Sequence, residues 1–262
     1  MSQEQSKILG GDFKVEGLSI SFGGLKAVNG FNLHLKPMEL QGLIGPNGAG
    51  KTTVFNLITG VYVPDSGSMV LNNKSLLGLK PHKISKSGVA RTFQNIRLFG
   101  DLTVLENVMV SYHMRVDYGY SDLFLRTPRF YRVEREFRET AAELLRVMGL
   151  EQRKEDKAKN LSYGDQRRLE IARALATEPK VLLLDEPAAG LNTQEKAALM
   201  VTIAEIRNRF KTTILLIEHD MKLVMGICEK ITVLDHGEII AVGTPREIQD
   251  NPKVIEAYLG VG

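Results

Sequence analysis

The segment Gly45-Pro46-Asn47-Gly48-Ala49-Gly50-Lys51-Thr52 constrains this chain more than any other. It fits G-x-x-x-x-G-K-[ST] and lies between a strand-like run, Glu39 to Ile44, and a helix-like run, Lys51 to Ile58. Only in that context can backbone N–H groups wrap phosphate oxygens. Side chains would block the approach, so the loop is rich in glycine, and the helix N-terminus adds positive potential. Lys51 is placed to reach β- and γ-phosphates, and the Thr52 hydroxyl to ligand Mg²⁺.

The rest of the chain supplies a sheet for that loop. Val15 to Phe22 reads as a strand between turn glycines. Val181 to Leu184 and Thr213 to Ile217 read as buried strands, short, apolar and closed by charged residues. Helices fit between them at Thr193 to Arg209 and Asp220 to Cys228, and Ile231 to Leu234 with Glu238 to Val242 reads as a closing hairpin. Strands separated by helices predict an α/β fold with a parallel sheet.

The middle differs. From about Ile96 to Asn160 there is no strong strand signal. Arg132 to Met148 carries one apolar helical stripe, Val133, Phe137, Ala141, Leu144, Leu145 and Met148. Arg135, Glu136, Arg138, Glu139 and Glu143 lie opposite and read as a solvated face rather than a partner surface. The stretch is expected to form a helical lobe inserted in the sheet domain. A last helix is capped by Asn251, opened by Pro252 and closed by Gly260. It is expected to pack on its own domain in preference to a partner.

Composition removes other classes. Lysine plus arginine is 34 and aspartate plus glutamate 31, a net of +3, which gives no footprint for nucleic acid. Cys228 is the single cysteine, so neither a disulfide framework nor a cysteine-rich zinc site exists. No apolar run approaches the roughly 18 residues that span a bilayer, and the N-terminus lacks a secretory apolar region. The chain is expected to be soluble and to stay where it is made.

Further candidates fall at strand ends. Val181 to Leu184 runs into Asp185-Glu186-Pro187. Beside a phosphate loop, Asp185 can hold Mg²⁺ through water, and Glu186, one residue on, suits a base that polarises water. His219 follows the strand Thr213 to Ile217, on the edge where ligands collect in α/β sheets. His34, His82, His113 and His236 have no such context. Ser162 in Leu161-Ser162-Tyr163-Gly164-Asp165-Gln166 precedes a helix. It reads either as a helix cap or, with the Gly164 N–H, as a second phosphate-binding surface; the pattern does not choose.

Taken in order, these elements resemble the ATP-binding subunits of ABC transporters, from about Phe13 to the end. In that family one subunit's signature loop completes another's ATP site, which favours the second reading of Ser162. The resemblance implies a P-loop NTPase core with a mainly parallel sheet, an N-terminal antiparallel β portion and an inserted helical subdomain. The core would be residues 1–95 and 161–247, the helical subdomain 96–160 and the tail 248–262. ATP contacts would come from Phe22, stacking on adenine, and from Gly45, Pro46, Asn47, Gly48, Ala49, Gly50, Lys51, Thr52 and Thr53. Ser162, Tyr163, Gly164 and Asp165 would meet the partner subunit's ATP. Thr52, Gln94 and Asp185 would serve Mg²⁺, and Glu186, His219 and Gln94 hydrolysis. Tyr163 and Asp165 replace a glycine and the glutamine of the usual signature, and Asn192 replaces the usual aspartate.

Segments 91–99 (RTFQNIRLF), 161–175 (LSYGDQRRLEIARAL), 185–192 (DEPAAGLN), 217–227 (IEHDMKLVMGI) and 254–260 (VIEAYLG) resemble ATPases of high-affinity branched-chain amino acid importers. That resemblance implies leucine, isoleucine and valine as cargo, with urea, short-chain amide and lipopolysaccharide systems as the nearest alternatives. It also implies a second ATPase subunit, two permeases, a periplasmic binding protein and a peripheral place on the cytoplasmic face of the bacterial inner membrane. Two other classes fit less well. Soluble ABC-type ATPases of DNA repair or translation usually carry tandem domains or long coiled coils, and no sustained heptads occur here. A GTPase needs N-K-x-D, but Asn73-Lys74 is followed by Ser75-Leu76.

Overall fold

A computed structural model describes residues 10–112 and 127–259. Two sheets form its frame. The larger has six strands: β3 (Leu40–Ile44), β6 (Val89–Arg91), β7 (Val181–Asp185), β8 (Thr213–Ile217), β9 (Lys230–Asp235) and β10 (Glu238–Gly243). Their spatial order is β10-β9-β3-β8-β7-β6. All neighbours run parallel except β10, which turns back on β9 as the expected hairpin. The smaller sheet is antiparallel, with β1 (Phe13–Phe22), β2 (Leu25–Leu35), β4 (Ser66–Leu71) and β5 (Lys74–Ser75) in the order β2-β1-β4-β5.

The central strands read as unbroken apolar runs because both faces are buried. Leu182 and Leu184 of β7, with Ile214 and Leu216 of β8, point into one cluster. Val181, Leu183, Leu215 and Ile217 point into the other, with Phe13, Phe31 and Phe55. Each such side chain contributes about 1.5–3 kcal/mol when fully buried. The first cluster continues into the helical stretch through Val104, Val108, Ala141, Leu144 and Leu145.

Nine α-helices occur among the described residues. They are α1 (Lys51–Ile58), α2 (Pro81–Ser87), α3 (Val104–Tyr112), α4 (Pro128–Val147), α5 (Tyr163–Leu175), α6 (Thr193–Phe210), α7 (Met221–Ile227), α8 (Pro245–Gln249) and α9 (Pro252–Leu259). Between residues 96 and 160 the described chain contains no strand, only a bridge between Thr103 and Lys157. The stripe on α4 buries Ala141, Leu144 and Leu145, while Val133 and Phe137 are half-buried. Its opposite face is exposed at Arg135, Glu136, Arg138 and Glu139; Glu143 pairs with Arg146 and Arg209. The tail helix α9 packs on its own chain through buried Val254. His113 and Gly260 lie outside the described residues.

No strand is expected between Phe22 and Glu39 from the residues there, yet β2 fills that interval. Register shifts interrupt the β1–β2 ladder, and Gly17 and Gly30 take positive φ there. Irregularities of this kind break the period of two on which strand recognition rests.

Candidate functional site

In a parallel sheet every strand ends on the same edge, so β3, β8 and β7, side by side, bring three loops together. The first is the glycine loop after β3. Gly45 has φ +150°, and a Cβ there would collide with the Leu234 carbonyl oxygen. Gly50 caps α1 in the left-handed region, where a Cβ would lie 2.7 Å from the Ala27 carbonyl oxygen. Both positions therefore require glycine for space as well as conformation. Asn47, Gly48 and Thr52 are exposed, Pro46, Gly50 and Thr53 half-buried, and Ala49 buried. Lys51 folds back over the loop, its Nζ donating to the Gly45 and Pro46 carbonyl oxygens at 2.7 Å each. Burial lowers its pKa against the opposing pull of Glu186 and Asp185.

The second loop leaves β7. Asp185 is buried, and its Oδ2 accepts from Arg91 Nη2 at 2.6 Å. Glu186 turns into the left-handed region at φ 47°, a conformation that costs a non-glycine residue about 1–3 kcal/mol. Its N–H donates to the Ile217 carbonyl at 2.9 Å, which ties the turn to the third loop. There, His219 Nε2 lies 2.6 Å from Glu186 Oε1. Gln94 Nε2 donates to Glu186 Oε2 at 2.9 Å. Gln94, Glu186 and His219, read from three separate segments, thus meet at one carboxylate. Phe22 does not join them; it is 45% exposed and packs edge-to-face on Tyr62, with ring centroids 5.2 Å apart.

Ser162 caps α5, its hydroxyl accepting from the Asp165 N–H at 3.2 Å, so the bland reading of this serine holds locally. Ser162 and Tyr163 remain exposed and Gly164 half-buried. The Asp165 carboxylate is turned to its own chain, where it pairs with Arg168 and Arg153. Asn192 caps α6 in a full capping box with Glu195, the role an aspartate would also fill.

A family model described as "ABC transporter" matches residues 28–189. A second, "Branched-chain amino acid ATP-binding cassette transporter", matches residues 238–262. The chain belongs to the ABC transporter family. The high-affinity branched-chain amino acid transport ATP-binding protein LivG of Escherichia coli K12 is 53% identical over 94% of this chain and 96% of its own length. BraF of Pseudomonas aeruginosa, of the same description, is 50% identical over 94% and 97%. The ADP conformation of MJ1267, an ATP-binding cassette of an ABC transporter, superimposes with a TM-score of 0.83 at 31% identity. That match covers 95% of this chain and 99% of the other.

This ABC cassette is therefore an ATPase that binds ATP. No group of three or more His, Cys, Asp or Glu side chains among the described residues could hold a metal by itself. Thr52, Asp185 and Gln94 offer hydroxyl, carboxylate and amide oxygens, hard donors that suit Mg²⁺ when substrate phosphates complete its shell.

Three supporting residues of the cassette escaped the sequence reading. Glu218, buried beside His219, accepts from the Ala188 N–H at 2.7 Å and the His219 N–H at 3.1 Å. It thereby joins the loops after β7 and β8; burial raises its pKa against those hydrogen bonds. Arg167, fully buried on α5, donates to the Phe93 carbonyl at 2.6 Å, the Gln94 carbonyl at 2.8 Å and Glu170 at 2.8 Å. It ties the helix behind Ser162 to the segment that carries Gln94. Arg91 does the same for Asp185. The one available signal was an acidic residue on each side of His219; the two arginines gave none.

Proposed function

We propose that this chain hydrolyses ATP to energise a membrane importer of branched-chain amino acids, acting as a peripheral subunit on the cytoplasmic face. The convergence of Gln94 and His219 on Glu186, beside the Lys51 loop, carries the enzymatic half of this reading. The names of the LivG and BraF relatives and the family match in the tail support the cargo. No helix among the described residues is long and apolar enough to cross a membrane, so the pore would come from two permease subunits. A periplasmic binding protein would deliver the cargo, and no nucleic acid is involved.

The site works through displacement of existing contacts. Arriving phosphates take the Lys51 ammonium away from the Gly45 and Pro46 carbonyls and line up on the loop N–H groups. Thr52, Asp185 and Gln94 would hold Mg²⁺, which supplies charge neutralisation on the β- and γ-phosphates. Phe22 stacks on adenine. A second ATPase subunit, different from this one in the assembled transporter, closes its own Ser162-type loop over the γ-phosphate, and this chain's Ser162 and Gly164 do the same for the partner. Glu186 then takes a proton from water as the water attacks the γ-phosphorus and the bond to the bridging oxygen breaks, releasing ADP and phosphate, while His219 keeps that carboxylate oriented. The cleft lined by Phe93, Arg97, Glu170 and Arg173 lies next to Gln94 in sequence and is the surface on which a permease helix would pull.

The test is solute uptake by cells whose own copy carries Lys51→Ala. Loss of leucine uptake with unrelated solutes unaffected supports the cargo; unchanged leucine uptake refutes it.

A further inference from the structure

Arg91 has no part in the reaction as derived above, yet it is among the best-held side chains of the site. It ends β6, and its side chain is 6% exposed. Nη2 donates to Asp185 Oδ2 at 2.6 Å, where the aspartate side chain is 3% exposed. Nη1 donates to Asn56 Oδ1 at 2.7 Å and lies 3.5 Å from Thr59 Oγ1. The guanidinium carbon sits 5.3 Å from the Phe55 ring centroid and 5.2 Å from that of Phe93, so its plane is fixed as well as its reach.

The placement of Asn56 gives these contacts a meaning. Asn56 follows Thr52 by four residues in α1, so the two share a helix face one turn apart. Thr52 and Asp185 are the hydroxyl and carboxylate assigned to Mg²⁺. Arg91 therefore spans the space between α1 and Asp185 one turn deeper than the oxygens that would hold the metal. A planar fork that grips an amide on one side and a carboxylate on the other fixes a separation; a lysine, a point charge on a flexible stem, grips one side at a time.

We propose that Arg91 is a positioning residue that sets the spacing between α1 and Asp185, and with it the geometry of the metal-binding gap. The proposal rests on the assignment of Thr52 and Asp185 to the metal. Arg97 also stacks on the Phe93 ring, at 4.2 Å, and both line the cleft assigned to the permease, so the clamp stands one ring away from that surface.

Mn²⁺ binding to the full chain in the presence of a non-hydrolysable ATP analogue, read by electron paramagnetic resonance, tests this without turnover. Arg91→Met should weaken Mn²⁺ binding at least about tenfold, the usual scale for loss of a group that orients a metal ligand. Affinity for the analogue in EDTA should stay as in the wild type. Arg91→Lys should recover part of the loss, and Asn56→Leu should reproduce a smaller part of it. Wild-type Mn²⁺ affinity in Arg91→Met overturns the clamp. So does a loss that Arg91→Lys leaves undiminished and Asn56→Leu does not share. If Arg91→Met does not fold, Asn56→Leu decides, and unchanged Mn²⁺ affinity there overturns the proposal. A wild-type chain that takes up no Mn²⁺ with the analogue would instead overturn the metal assignment.

Discussion

Replacing Arg167 by methionine isolates the link between the helix behind Ser162 and the Gln94 segment. The methionine fills similar space but donates nothing. Two backbone carbonyls, those of Phe93 and Gln94, lose their donor, and the buried Glu170 loses its 2.8 Å partner. Breaking one side of a buried pair costs about 3–5 kcal/mol, because the remaining charge is stranded. At about 2–4 °C per kcal/mol, the melting temperature should fall by about 6–20 °C. The loss should depend on pH in a definite direction. Burial already raises the Glu170 pKa, and the Arg167 charge and hydrogen bond oppose that rise. Without Arg167 the folded pKa climbs further above the unfolded value. The folded state then holds the proton more tightly, so stability is greatest in acid and falls as pH rises through that window. The deficit should be smaller at pH 5 than at pH 8, and Arg167→Met/Glu170→Gln should recover part of it. Differential scanning calorimetry across pH measures all three quantities. An unchanged melting temperature in the single variant, or a deficit that neither acid nor Glu170→Gln reduces, would refute the reasoning.

Three other outcomes follow from the same geometry. Glu186→Gln keeps the shape of the side chain but removes the base. ATP binding should persist, phosphate release should fall by about 10²–10⁴-fold, and a dimer should accumulate with ATP on size exclusion; normal hydrolysis would contradict the base assignment. Cys228 is buried, and its thiol is pushed up to about 12, so a thiol reagent at pH 8 should label the native chain about a thousandfold more slowly than the urea-unfolded one. Comparable rates would mean that the α7 end opens readily. Asn192→Ala should cost about 1 kcal/mol in urea unfolding and Asn192→Asp almost nothing, because either amide or carboxylate oxygen can accept from the Gln194 and Glu195 N–H groups. Equal losses in the two variants would show that Asn192 does something other than cap.

The parts of the site that were legible in the sequence are those whose physics is local. A glycine loop between strand and helix, an apolar run that stops at Asp185, and a histidine two residues past a strand can each be read within a dozen positions. The tail cap at Asn251 was legible for the same reason, its side chain accepting from the Lys253 N–H two residues on. The two arginines that support the site are the opposite case. Arg91 meets Asp185 across 94 positions, and Arg167 meets the Gln94 carbonyl across 73. In sequence both arginines look like ordinary surface charges, since arginine is almost never fully buried unless paired. That they are buried follows from where the chemistry sits. Asp185 lies at the end of a strand whose every residue is buried, so its charge needs a cation that arrives from a neighbouring strand. Parallel sheets supply that neighbour only through a crossover, which separates the partners widely along the chain. The distance in sequence between a site and its supports is therefore a consequence of the architecture that the glycine loop itself demands.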